Sequence, residues 1–217
     1  MKVSSTRKFN SICVFCGSNL GKNGEFIGAA NNLGRTLAER KIHLVYGGGS
    51  LGLMGSVAIS AYVGGVKVLG VIPKYLTVQN ITGMTIGDEL KVSHIQDRMP
   101  NMLNNADAFI ILPGGFGTLE ELFQIVSWAQ LNIHQKPIGI LNVNGFYDGL
   151  LSFVDHAAKK GFISTSARRI IISAPTPDQL IDQLLAYVPK PDPVLANVDW
   201  SNRNNGRKRK LNLTLSL

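Results

Sequence analysis

The feature that most constrains this chain is a short apolar strand running straight into a glycine-rich turn and a helix. Ala108-Phe109-Ile110-Ile111-Leu112 leads into Pro113-Gly114-Gly115-Phe116-Gly117, and Thr118-Leu119-Glu120-Glu121 follows. An unbroken apolar run of this length reads as a strand buried on both faces. Such strands belong to parallel sheets covered by helices, which restricts the fold to the α/β class. Glycine lacks a Cβ, so the backbone of the turn can come close to a ligand. The helix start adds unpaired N–H groups and a partial positive charge, a combination that favours phosphate. Glu120 and Glu121 lie one turn into that helix, beside the expected anion site. A carboxylate there is unsuited to holding phosphate and is free for chemistry on whatever the phosphate anchors.

The pattern recurs upstream. Leu44-Val45-Tyr46 leads into Gly47-Gly48-Gly49-Ser50-Leu51-Gly52-Leu53-Met54-Gly55 and a helix ending near residue 63. Two such units in one chain argue for a nucleotide or sugar-phosphate site. Neither is a Walker A loop, since no Gly-Lys-Ser/Thr follows. Gly47, Gly49 and Gly52 have the spacing of a dinucleotide fingerprint, but no acidic residue ends a second strand about 20 residues on.

Apolar patterning predicts further strands over 11–15, 43–46, 67–72, 92–95, 137–141 and 170–172. It predicts helices over 25–40, 97–105, 118–132, 147–160 and 176–187, with residues 74–90 as a long irregular connection. Strands alternating with helices form a doubly wound parallel sheet, whose ligands bind at the carboxyl ends of the strands. The loops 16–21, 47–55, 96–98 and 113–121 all open there and should converge on one crevice. The expected organisation is a flexible segment 1–9, one domain over 10–188 and a disordered basic tail over 189–217.

The 217 residues are 45% hydrophobic, enough for the core of a single domain. No apolar run reaches the ~20 residues of a membrane span, and the short polar start contains no signal segment. The +8 charge divides evenly. Residues 189–217 hold six basic and two acidic residues, the remainder 16 basic and 12 acidic. The folded part therefore needs no polyanionic partner, and nucleic acid is not expected. Cys13 and Cys16 form a lone C-x-x-C whose alternation places them on opposite faces; two reduced, buried thiols fit a cytoplasmic protein. In the tail, Arg207-Lys208-Arg209-Lys210 resembles a nuclear localisation signal, and Leu211-Asn212-Leu213-Thr214-Leu215 fits a Leu-x-Leu-x-Leu repressor motif. A plain solvated tail fits the same composition.

The chain resembles the Lonely Guy family of cytokinin riboside 5′-monophosphate phosphoribohydrolases, often mislabelled lysine decarboxylases. The family motif Pro-Gly-Gly-x-Gly-Thr-x-x-Glu is intact from Pro113 to Glu121. Further matches are Val14-Phe15-Cys16-Gly17-Ser18, Leu44 to Ser50, Gly52-Leu53-Met54-Gly55, Ser127-Trp128-Ala129-Gln130-Leu131 and Lys136-Pro137-Ile138-Gly139. The resemblance implies a single Rossmann-like domain and a homodimer with its site near the subunit interface. It implies no metal and no organic cofactor. The implied reaction is hydrolysis of the N-glycosidic bond of an N6-substituted adenosine 5′-monophosphate, giving free base and ribose 5-phosphate.

By the same resemblance the catalytic pair is Arg98 and Glu121. The residues expected to bind substrate are Gly17, Ser18, Gly48, Gly49, Met54, Asn80, Arg98, Met99, Ser127 and the run Gly114-Gly115-Phe116-Gly117-Thr118-Leu119-Glu120-Glu121. The chemistry of the residues agrees. Glycosidic cleavage builds positive charge on the ribose, which Glu121 would stabilise, and the planar fork of Arg98 suits phosphate or substrate. Two positions depart from the family pattern: Met99 replaces a substrate-contacting lysine, and Asn80 a glutamate. A nucleotide-binding relative of low or no activity is therefore the alternative. Lysine decarboxylation is a poor reading, because no lysine sits in a pyridoxal-phosphate context.

Overall fold

A computed structural model describes residues 7–22, 24–78 and 82–190. Seven strands form one all-parallel sheet: β1 (Ser11–Phe15), β2 (His43–Tyr46), β3 (Val68–Pro73), β4 (Asp88–Val92), β5 (Ala108–Ile111), β6 (Ile138–Leu141) and β7 (Ile171–Ala174). Their order is β4-β3-β2-β1-β5-β6-β7. The chain thus winds outward from β1 to β4, crosses back, and winds outward the other way from β5. Loops after β1 and β5 leave in opposite directions, and the gap between them is the topological switch point of a doubly wound sheet. This is the Rossmann-like single domain that the sequence implied.

The helices are α1 (Gly24–Glu39), α2 (Gly52–Val63), α3 (Lys74–Val78), α4 (Arg98–Asn104), α5 (Phe116–Gln130), α6 (Asp148–Lys159), α7 (Thr165–Arg168) and α8 (Pro177–Ala186). Strand alternation sends Ile12 and Val14 to one face, where Leu33 and Leu37 of α1, Val57 of α2 and Leu180 of α8 cover them. Cys13 and Phe15 point to the other face, against Met102 of α4 and Leu122 and Ile125 of α5. The two cysteines are free, buried and on opposite faces, as alternation required.

Several boundaries differ from expectation for physical reasons. The fourth strand is Asp88–Val92, not 92–95. It is an edge strand paired only with β3, so Asp88, Glu89 and Lys91 stay solvated and no apolar run announces it. Charged edges of this kind also discourage pairing with another chain. Residues 95–97 form a 3₁₀ turn leading into α4. The fifth helix begins at Phe116, two residues earlier than expected, so Gly117 is helical. The short helices α3 and α7 and a 3₁₀ turn at Val143–Gly145 carry no clear periodicity. Among the described residues no helix is long and apolar enough to cross a membrane.

Candidate active site

Turns after β1, β2 and β5 meet at the switch point and, with Arg98, enclose a crevice of about 670 Å³. That volume suits a ligand of nucleotide size. The turns are stitched together by backbone: Gly17 N–H donates to Pro113 O at 3.0 Å, and Leu112 N–H to Phe15 O at 2.9 Å. Tyr147 Oη adds a bond to Leu112 O at 2.8 Å.

The two glycine-rich turns, alike in sequence, end differently. At the second, Gly48 has φ +83°, and a Cβ there would press on Ile72, so this glycine serves the turn. The first N–H groups of α2 are already used: Leu53 and Met54 donate to Gly17 O at 3.0 and 3.4 Å. That helix start is closed to an anion.

The start of α5 is open. Gly115 is its N-cap, no side chain caps it among the described residues, and Leu119 N–H closes the first turn on Gly115 O at 3.0 Å. The N–H groups of Phe116, Gly117 and Thr118 have no intrahelical acceptor by construction. A Cβ on Gly115 or Gly117 would meet nothing within 4 Å, so neither glycine is required by packing. Gly114 differs, since a Cβ there would collide with Thr118 Oγ1.

Beside this helix start lies the Arg98–Glu121 pair. Arg98 is the first residue of α4, and Glu121 stands on the buried side of α5. Arg98 Nη1 donates to Glu121 Oε1 at 2.5 Å, and Nε donates to Val71 O at 3.1 Å. Its guanidinium passes so close to Gly47 that a Cβ there would lie 2.5 Å from Nη2. The side chains are 18% and 8% exposed. Burial pushes the Glu121 carboxyl above its ordinary value, and the charge and hydrogen bond of Arg98 oppose that shift. Burial and the nearby Glu121 also push the Cys16 thiol up, which leaves it inert in the crevice wall. Among the described residues no cluster of His, Cys, Asp and Glu could hold a metal ion.

Of the residues expected at the site, Gly17, Ser18, Met54, Arg98, Gly114, Gly115, Phe116, Gly117, Thr118, Glu120 and Glu121 line the crevice. Gly48, Gly49, Met99, Leu119 and Ser127 do not. Gly49 sits behind Met54 and Thr82, and Leu119 packs toward the core. Met99 is only 4% exposed and belongs to the core beneath α4. Ser127 lies on the exposed face of α5, away from its own crevice. Asn80 lies outside the described residues, as does the tail beyond Lys190.

Sequence reasoning missed Gly47, Thr82, Ile95 and the apolar wall of Leu20, Phe26 and Phe146. Gly47 was findable, because it directly follows β2. Phe26 and Phe146 meet edge to face with centroids 5.6 Å apart, 120 positions apart in sequence, and nothing local signals that contact.

A family model described as "Possible lysine decarboxylase" matches residues 54–184. Cytokinin riboside 5′-monophosphate phosphoribohydrolase LOG7 of Arabidopsis thaliana is 53% identical over 193 residues, covering 89% of this chain and 89% of the relative. LOG2 of the same plant is 51% identical over 195 residues, covering 90% and 92%. Among solved structures, the Moco carrier protein of Chlamydomonas reinhardtii superposes with a TM-score of 0.61 at 18% identity, over 83% of this chain and 100% of that one. The molybdenum cofactor binding protein of Rippkaea orientalis gives 0.61 at 21% identity, over 84% and 98%. At such identities the likeness to these two structures shows the fold alone.

Proposed function

The chain belongs to the cytokinin riboside 5′-monophosphate phosphoribohydrolase family, and on that premise we propose that its crevice cleaves the N-glycosidic bond of such nucleotides. The products are the free base and ribose 5-phosphate, and the enzyme is an N-glycosyl hydrolase. One observation carries the reading: an open helix start and a buried arginine–carboxylate pair face the same crevice.

In this reading the phosphate sits on the N–H groups of Phe116, Gly117 and Thr118, where the helix dipole favours it. Anchored there, the ribose presents C1′ to Glu121. As the bond to the base breaks, positive charge grows on the ribose, and Glu121 stabilises it from a site shielded from water. Arg98, fixed by Val71 O, holds the Glu121 carboxyl in place and opposes the upward pull of burial on it. The apolar wall of Leu20, Phe26 and Phe146 receives the base.

The reading includes a homodimer. Phe116, Glu120, Phe123 and Ser127 follow one another at helical spacing along the exposed face of α5, and Phe116 is 93% exposed. A second copy laid on this stripe would cover both phenylalanines and bring Ser127 to the neighbouring crevice. The cytoplasm is the proposed location, with the run Arg207 to Lys210 as a nuclear address.

Release of free base from isopentenyladenosine 5′-monophosphate, compared with the unphosphorylated riboside, tests the assignment. Without the phosphate anchor, kcat/KM should fall by about 100-fold or more. Equal rates would remove the phosphate role from the α5 start. Tight nucleotide binding with no base release would favour the inactive relative.

A further inference from the structure

A second, smaller cavity of about 130 Å³ lies between α4 and α5. It shares Ile95, Arg98, Glu120 and Glu121 with the crevice, so the Arg98–Glu121 pair forms part of the wall between the two. Gln96, Met99 and Gln124 line the recess alone. Among the described residues neither glutamine amide has a hydrogen-bond partner, so both are available to hold water. The recess has room for several waters and is too small for a nucleotide.

Hydrolysis needs a water that the crevice is badly placed to supply. Once a nucleotide fills it, phosphate covers the α5 start and the base lies on the apolar wall. The recess reaches the same carboxylate without crossing the substrate. We propose that the recess between α4 and α5 stores the water consumed in the reaction and delivers it to Glu121. The proposal rests on the hydrolase reading above.

The step balances. The water oxygen bonds to C1′, and the electron pair of the C1′–N bond leaves with the purine, which takes up one proton from solvent. The proton lost by the water passes to the Glu121 carboxylate and out through the recess. Gln96 and Gln124 are positioning residues here: they hold water by their amides and touch no reacting atom. Met99 makes the third side of the recess apolar.

The test is nucleophile competition in the full chain. Isopentenyladenosine 5′-monophosphate is turned over in aqueous methanol, and ribose 5-phosphate is measured against methyl riboside 5-phosphate. Gln124→Met and Gln96→Met keep the side-chain volume and remove the amide. Each should lower kcat by about tenfold with KM within about twofold, and raise the share of methyl riboside severalfold. That ratio counts products per turnover, so a smaller folded fraction leaves it unchanged. An unchanged ratio with unchanged kcat in both variants overturns the recess as water store. Absence of base release by the unaltered chain would instead overturn the hydrolase reading itself.

Discussion

Arg98 and Glu121 stand 23 positions apart on different helices, yet Nη1 and Oε1 meet at 2.5 Å with both side chains largely buried. Two constraints produce this meeting. Gly47 leaves room for the guanidinium to lie against backbone, and Val71 O takes the Nε–H, so the fork points at the carboxylate. A buried pair of this kind is a poor device for stability and a good one for holding a charge in a fixed place.

Burial raises Glu121, Arg98 restrains the rise, and Glu120 adds to it. If ionised Glu121 is the working form, the acid limb of kcat/KM lies above the ordinary carboxylate value of 4.5. Arg98→Met removes the restraint and should move the limb to higher pH. Met99→Lys places a cation in the recess lined by both glutamates and should move it lower. Stability follows the same sign. A carboxyl raised in the folded state costs stability as pH climbs from the unfolded value through the folded one. Thermal unfolding of Arg98→Met should therefore lose ground over that window relative to the parent chain.

Gly117 lies inside a helix with open space where a Cβ would be. Alanine there should stabilise the fold by about 0.5–1 kcal/mol, seen as a rise in Tm of roughly 1–4 °C. The same methyl intrudes on the proposed phosphate, so affinity for adenosine 5′-monophosphate should drop. Calorimetry of Gly117→Ala showing a fall in Tm together with a matching loss of affinity would mean the glycine serves the turn alone.

Lys136 ties the end of the arginine helix down. Its Nζ donates to Leu103 O at 2.5 Å and Ala106 O at 2.6 Å. Its own N–H donates to His134 Nδ1 at 3.1 Å, which leaves Nε2 to donate to Ile125 O of α5 at 2.9 Å. Lys136→Met strands two carbonyls and should cost about 2–3 kcal/mol. Lys136→Arg should recover part of the lost Tm.

The phenylalanine stripe on α5 predicts association. Phe123→Glu places a charge on the exposed stripe at a residue that does not line the crevice, and should leave a monomer in sedimentation analysis. A monomeric parent chain would refute the dimer.

The sequence made legible whatever depends on local pattern. Buried strands such as Ala108–Ile111 show as apolar runs, and the open helix start shows as Pro-Gly-Gly-Phe-Gly. What it hid depends on partners distant in the chain. β4 is charged because it is an edge. The start of α2 is sealed by Gly17 O from another loop, so two similar glycine turns had opposite fates. Met99 looks like a crevice residue by its place beside Arg98, but one step along α4 turns its side chain away from the crevice, toward the core and the recess between α4 and α5.

The central claim is that Glu121 performs chemistry on a nucleotide held by the α5 start. Replacing Glu121 with Gln keeps the shape and a hydrogen-bond acceptor while removing the charge. Base release from isopentenyladenosine 5′-monophosphate should then fall by about 10³-fold or more, while binding of adenosine 5′-monophosphate stays within severalfold of the parent. Near-parental rates of base release by Glu121→Gln would contradict the account.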